Sequence, residues 1–335
     1  MNKVMIVSRT PLRMSFVGGG SDLSSFYHDE MGAVLSTSIE KYVYICVNSK
    51  FDGKIRVSYS ETENIESWSD IKHPLVRESL GIMGIKEGIE IASLADIPSN
   101  GSGLGSSSAY TVGLINALSH YKKSGLSKGE IARLACEIEI NRCQEPIGKQ
   151  DQYAAAFGGL NVIRFLPDES VIVDPLICLS ETVKKLQENI IVFFTGRTRS
   201  ASKVLVSQFA ALRESDKKVF VRRMVSLVFA MKQELECGRL DEIGTILDEN
   251  WRLKSQLTSG ISDGQINHWY SIGLSNGALG GKLLGAGNGG FLMFYAPRSE
   301  HERLAKALLD LRVVNFKFDK IGTMILVNEQ EGYQC

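Results

Sequence analysis

A chain of 335 residues, 44% hydrophobic and 23% charged, is long enough for two domains or one large α/β unit and has the balance of an ordinary globular enzyme. Its 38 Lys and Arg offset 38 Asp and Glu, so no net field draws it to nucleic acid or an anionic membrane, and any anion site has to be local. No stretch approaches the roughly 18 consecutive apolar residues that a membrane span needs.

The six cysteines form no CxxC pair and the five histidines are scattered, which argues against a zinc site and for free thiols in a reducing, cytoplasmic compartment. At the N-terminus the apolar run through Val7 is short and Arg9 and Arg13 follow, so it reads as a first strand and not a signal peptide. Leu12, Met14 and Phe16 then alternate with Arg13 and Ser15, which sends Arg13 to the face opposite the apolar residues. With the glycines Gly18, Gly19 and Gly20 and the acid Asp22 next in line, Arg13 and Asp22 are candidates to line a cleft; a surface arginine and a helix-capping aspartate are the plainer alternative. The β-branched and aromatic runs at 33–39, 42–47 and 54–59 predict an antiparallel meander. Trp68 stands alone and fits either a purine stack or an anchor for a surface loop.

Ile89 to Ala95 alternates partly like a strand, and Ala109, Val112, Ile115 and Leu118 recur at helical spacing. Between them lies the stretch 98–109, which holds Gly101, Gly103 and Gly105 and ends on Ser106, Ser107 and Ser108. Glycines let the backbone present its N–H groups to a ligand, and a helix dipole behind them favours an anion, most simply a phosphate. The loop lacks the lysine of a Walker A motif, and taken alone it also fits a flexible turn before a serine-capped helix.

Ser127 with Glu130 predicts a capping box for the next helix, on which Glu139 shares the face of Ala132, Ala135, Cys136 and Cys143 and so points inward. A carboxylate there is expensive to bury unless a cation or a donor meets it. Asp151 begins a further short helix of small residues, where it either joins Glu139 at a site or caps the helix. The strand-like Ile190 to Thr195 runs into Arg197 and Arg199, with Lys203 one turn into a helix; these cations meet a phosphate or simply solvent. Residues 214–257 read as helical with a break at Gly238. In the last glycine cluster, 280–290, Gly285, Gly287 and Gly290 satisfy GxGxxG, yet a helix-like segment precedes and an apolar strand follows. That order is wrong for a dinucleotide fold, and close packing against another loop explains the glycines better.

Three glycine clusters with acids between them resemble the motifs of the galactokinase, homoserine kinase, mevalonate kinase and phosphomevalonate kinase superfamily, and the resemblance covers nearly the whole chain. The stretches 9–22, 103–109 and 282–290 are similar to its first motif, its nucleotide loop and its third motif. Within it the sequence resembles the heptose 7-phosphate kinase branch, with L-fucose kinase a nearer relative than galactokinase. Galactokinase has Gly-Glu-His-Thr-Asp where this chain has Gly18-Gly-Gly-Ser-Asp22, so two sugar-facing side chains are missing.

The resemblance implies an α+β, two-lobed fold, with an N-terminal mixed-sheet lobe (1–170), a C-terminal ferredoxin-like lobe (171–335) and the active site in the cleft between them. It implies an ATP- and Mg²⁺-dependent kinase phosphorylating D-glycero-D-manno-heptose 7-phosphate at O1, in nucleotide-activated heptose supply for surface polysaccharide, without nucleic acid or membrane partners and with a homodimer as a candidate assembly. Asp151 would be the base or orienting group and Arg13 its partner. Gly101, Ser102, Gly103, Leu104, Gly105, Ser106, Ser107 and Ser108 would wrap the triphosphate. Ser107 and Glu139 would hold Mg²⁺, whereas Asp22, Gly19, Gly20 and Gly287 would meet the sugar. Arg197 and Arg199, with Lys203 beside them, are candidates for the distal phosphate. The alternatives are a kinase of an unphosphorylated sugar of the L-fucose type and a non-catalytic sugar-binding member of the fold.

Overall fold

The computed structural model describes residues 4–97, 101–197, 201–213 and 215–330. The first lobe is built on β1 (Val4–Val17), α1 (Ser24–Tyr27), β2 (Gly32–Ser49), β3 (Ile55–Ser58), β4 (Thr62–Ile65), α2 (Pro74–Ile82), β5 (Ile89–Ala95), α3 (Ser106–Tyr121), α4 (Lys128–Cys136), α5 (Gln150–Phe157), β6 (Leu160–Phe165) and β7 (Val171–Pro175). The second follows as α6 (Ser180–Glu188), β8 (Ile190–Phe194), α7 (Ala201–Ala211), α8 (Ser215–Glu236), α9 (Ile243–Ser255), α10 (Gly264–Ser275), β9 (Gly280–Leu283), β10 (Phe291–Tyr295), α11 (His301–Ala307) and β11 (Arg312–Val314). Two last strands, β12 (Phe318–Asp319) and β13 (Met324–Gln330), return to the first lobe and pair with β2 and β1.

The expected meander is not what forms. The runs at 33–39 and 42–47 are one 18-residue strand, β2, and β3 pairs parallel with β5 instead of antiparallel with β2. Strand β1 likewise runs unbroken past Pro11, whose missing N–H falls at a register shift between Pro11 and Leu12 where the ladder to β2 is already interrupted. The sheet also ignores the expected boundary at 170, since β7 pairs with β6 and the final strands lie beside β1 and β2.

The second sheet has the order β11-β8-β10-β9, all neighbours antiparallel, with helices between β8 and β9 and between β10 and β11, which is the ferredoxin-like arrangement expected. Its two central strands, β8 and β10, are apolar without alternation because both faces are covered. Ile191, Phe193, Leu292 and Phe294 pack under the lobe's own helices, whereas Val192, Met293 and Tyr295 join the core of the first lobe. The two lobes therefore meet through a sheet face, and side chains on that face lie at the cleft floor. Trp68 packs on Gly81 of α2, the loop-anchor alternative. Among the described residues the cysteines are free thiols, Cys136 buried and Cys237 exposed, so they are not uniformly inside.

Candidate active site

Helix α3 starts at the glycine loop without a capping side chain. Its N-cap is Gly105, held left-handed at φ 74°, and among the described residues no side chain caps the first-turn amides. The serines of that turn are therefore not caps, and their orphan N–H groups face the cleft with the helix dipole behind them. Ser102 Oγ and Ser106 Oγ lie 2.9 Å apart across the loop. The loop is fixed from behind by the third glycine cluster, which is the β9–β10 hairpin loop. A Cβ on Gly103 would lie 2.4 Å from the Leu284 carbonyl oxygen, and one on Gly285 would lie 2.4 Å from Gly103 Cα. Close packing between loops, not a dinucleotide fold, accounts for those glycines.

Arg13 and Asp151 meet at the head of this loop. Arg13 Nε donates to Asp151 Oδ1 and Arg13 Nη2 to Asp151 Oδ2, each at 2.7 Å, a bidentate pair. The third arm, Nη1, donates to the Gly103 carbonyl at 2.6 Å, and the Arg13 amide donates to Leu104 O at 3.0 Å. A Cβ on Gly105 would sit 3.2 Å from both Arg13 Cγ and Asp151 Oδ2, so only glycine lets the loop approach the pair. Asp151 is the second residue of α5 and not its cap; its side chain is 22% exposed, against 5% for Arg13, and is the member turned to the cleft.

Glu139 is wholly buried, as its helical face predicted, although the chain there is a π-helical turn over Glu137–Arg142 and not a continuation of α4. It accepts from Ser107 Oγ at 2.8 Å and from Gln152 Nε2 at 2.6 Å, and burial raises its pKa to about 7 despite those donors. Gln152 Oε1 is buried beside it with no protein partner among the described residues.

Asp22 lies on the other side of the pair. Its Oδ1 accepts from Gly20 N at 3.0 Å and its Oδ2 from Gln150 N at 3.3 Å, while burial, then the nearby Asp151 charge, raise its pKa. Gly20 lies beside it through its amide, and a Cβ on Gly19 would come 3.3 Å from Lys254 Nζ. Gly287 packs against another segment: a Cβ there would lie 2.7 Å from Ile261. Arg197 is committed elsewhere, since its Nη2 donates to Asp263 Oδ2 at 2.6 Å while its carbonyl accepts from Gly290 N at 2.8 Å. Arg199 and the Lys203 side chain lie outside the described residues.

Two buried lysines that the sequence reading passed over complete the site. Lys282 on β9 stands opposite Met293, which belongs to the first lobe's core, so it projects onto the cleft floor. Burial, then the cations Lys254 and Arg13, hold it well below the usual lysine range. Lys254 on α9 is 5% exposed, its Nζ donates to Gly285 O at 3.0 Å, and burial lowers its pKa to about 8 although Asp22 and Asp151 pull the other way. Only the burial of Lys254 had a signal in the sequence, since it shares one helical stripe with Ile243, Leu247 and Asn250; its place beside the first glycine segment had none.

Residues 71–159 match the GHMP kinases N terminal domain. The chain is 31% identical over 331 residues, 95% of its length and 97% of the relative's, to the D-glycero-alpha-D-manno-heptose 7-phosphate kinase of Campylobacter jejuni. It is 26% identical to the bifunctional fucokinase/GDP-fucose pyrophosphorylase of Arabidopsis thaliana, over 91% of this chain and 32% of that larger protein. A crystal structure of a D-glycero-D-manno-heptose 1-phosphate kinase from Bacteroides thetaiotaomicron superposes with a TM-score of 0.77 at 26% identity, covering 96% of this chain and 99% of that one. A glycine loop heading a bare helix, an Arg–Asp pair against it and full-length kinship with sugar kinases lead to one conclusion: this chain belongs to the GHMP kinase family and is an ATP-dependent carbohydrate kinase.

Proposed function

We propose that the enzyme transfers the γ-phosphoryl group of ATP to O1 of D-glycero-D-manno-heptose 7-phosphate, giving the 1,7-bisphosphate, a cytoplasmic step in nucleotide-activated heptose supply for surface polysaccharide. The observation that carries the reaction type is the contact of Gly105 with the Arg13–Asp151 pair, which puts a carboxylate and a guanidinium at the mouth of a phosphate-binding loop. The heptose assignment is supported by the name and full-length similarity of the Campylobacter relative.

In this reading the amides of Ser106, Ser107 and Ser108 and the loop from Gly101 to Gly105 hold the triphosphate. Asp151 faces the anomeric hydroxyl and takes its proton as O1 bonds to the γ-phosphorus and the bond to the β-phosphate oxygen breaks; each of its oxygens keeps a lone pair beyond the Arg13 bond. Arg13 fixes the carboxylate and, with Lys282 on the floor, meets the charge on the transferring group. Positioning and electrostatics supply most of the acceleration in such transfers. Ser107 Oγ and Glu139 would hold Mg²⁺: a hydroxyl and a buried carboxylate are hard oxygen donors, and the partnerless Gln152 Oε1 adds a third beside them. Held there, the ion would supply neutralising charge for the transferring phosphoryl group.

A free sugar of the L-fucose type is the competing acceptor, favoured by the fucokinase similarity and by the engagement of Arg197 with Asp263. An ATP-consumption screen across free and phosphorylated aldoses, with the new phosphate located by ³¹P NMR, decides between them. Heptose 7-phosphate is expected to give the highest kcat/KM with phosphate at O1; preference for an unphosphorylated aldose overturns the assignment.

A further inference from the structure

Gly19 and Gly20 leave two gaps in the wall of the cleft, and the second lobe fills both. A Cβ on Gly19 would lie 3.3 Å from Lys254 Nζ, and one on Gly20 would lie 3.9 Å from Gln208 Oε1. These two side chains come from α9 and α7, and each is clipped to the same hairpin loop: Lys254 Nζ donates to Gly285 O at 3.0 Å and Gln208 Nε2 to Ala286 O at 2.9 Å. Both are almost fully buried, Gln208 at 1% exposure. The spot they surround is rich in unused polar atoms. Ser15 Oγ and Gln150 Nε2 each lie 4.0 Å from the Gly19 position, and Ser15 Oγ and Gln150 Oε1 are buried without a partner among the described residues. One turn before Lys254, Asn250 Oδ1 accepts from Gly18 N at 3.1 Å, so α9 holds this glycine segment in place. Buried polar atoms without partners are costly, and a ligand rich in hydroxyl or phosphate oxygens satisfies them.

We infer that Lys254 and Gln208 are the residues that read the acceptor, with the Lys254 ammonium donating to an oxygen of the sugar or of its phosphate. An ammonium carries three N–H donors, of which the Gly285 carbonyl uses one. The remainder lie at the Gly19 gap, within the field of Asp22 and Asp151, the side on which the sugar has to lie for O1 to reach Asp151. Recognition that a first-motif side chain could have supplied is thus moved to the opposite lobe, and the Gly285 clip ties it to the nucleotide loop.

This inference rests on the sugar-kinase reading, and one comparison separates the two. KM for sugar and for ATP is measured for the full-length wild type, Lys254→Met, Lys254→Arg and Gln208→Ala, with heptose 7-phosphate, free heptose and a set of monodeoxy heptose 7-phosphates. Lys254→Met is expected to raise KM for the sugar about 10- to 100-fold, the range for a lost charged hydrogen bond, with KM for ATP within about twofold. It is also expected to erase the wild-type penalty for one analogue only. If that analogue is free heptose, the ammonium reads the phosphate; if it is a monodeoxy sugar, the ammonium reads that hydroxyl. Lys254→Arg should restore part of the discrimination. Should Lys254→Met not fold, Gln208→Ala and Lys254→Arg carry the same test through their analogue profiles. Wild-type penalties that persist unchanged in every variant overturn the inference and leave the kinase reading standing, whereas no wild-type turnover on any aldose overturns both.

Discussion

The two walls of the cleft are made in different ways. The nucleotide wall is backbone: the loop 101–105 and the first turn of α3, seated on the glycines of the β9–β10 loop, with few side chains facing the ligand. The acceptor wall is side chain: Asp22, Ser15 and Gln150 from one lobe, Lys254 and Gln208 from the other, gathered around two residues that have no side chain at all. Backbone amides recognise any triphosphate equally well, so the first wall fits a whole family of kinases. Side chains arriving from separate helices can be exchanged one at a time, so in the proposed reading the second wall is where substrate choice is set.

The largest effect should come where the walls join. Asp151→Asn keeps the shape of the Arg13 pair and removes the proton acceptor, so kcat is expected to fall about 10³-fold while isothermal titration still shows ATP and sugar binding. Near-normal turnover would dissolve the junction. On the nucleotide wall, Gly103→Ala forces a side chain into a φ of 75° and against the Leu284 carbonyl. About 2–3 kcal/mol of stability should be lost and KM for ATP raised well above any change for the sugar. A variant that melts normally and binds ATP normally would show that the loop is not seated as described.

The acceptor wall should respond to pH. Lys254 is depressed to about 8 in the free enzyme, with Asp22, Asp151, Arg13 and Lys282 around it. It therefore loses its charge as pH rises through 8, and kcat/KM for the sugar should decline on that alkaline limb. The limb should flatten in Lys254→Met; an unchanged limb assigns it to another group. The sign for stability is opposite. Keeping this lysine protonated while buried disfavours the folded state below pH 8, and that penalty fades as pH approaches the ordinary lysine value. The smallest effect is expected for Arg197→Ala. Its partly exposed pair with Asp263 contributes at most about 1 kcal/mol, and KM for the sugar should change less than twofold. A large rise would bring Arg197 into the acceptor wall after all.

How far each wall could be read from the letters follows from the same contrast. The nucleotide loop is one continuous stretch, and the inward turn of Glu139 was plain from the small residues sharing its face. Lys254 and Gln208 were not read, because nothing in the sequence says that α9 and α7 end beside Gly19 and Gly20; only the packing of one lobe on the other does. The meander failed for a related reason. β-branched and aromatic runs mark 33–39, 42–47 and 54–59 as β structure, but the choice of β5 and not β2 as the partner of β3 is made across the sheet, by contacts far apart in the chain. Arg197 looked available because a guanidinium at a strand end has no local partner, and Asp263 is sixty-six residues away.

The pairing of Val4 with Gln330 through Arg9 with Met324 has a bearing on how the molecule is made. The opening strand emerges from the ribosome long before its neighbour, and one edge of it stays uncovered while the rest of the chain is translated. The four strands from Ile190 to Val314 close among themselves and can consolidate in the meantime. Vectorial synthesis should therefore yield a settled second lobe beside a half-built first one, with the final strand acting as the latch.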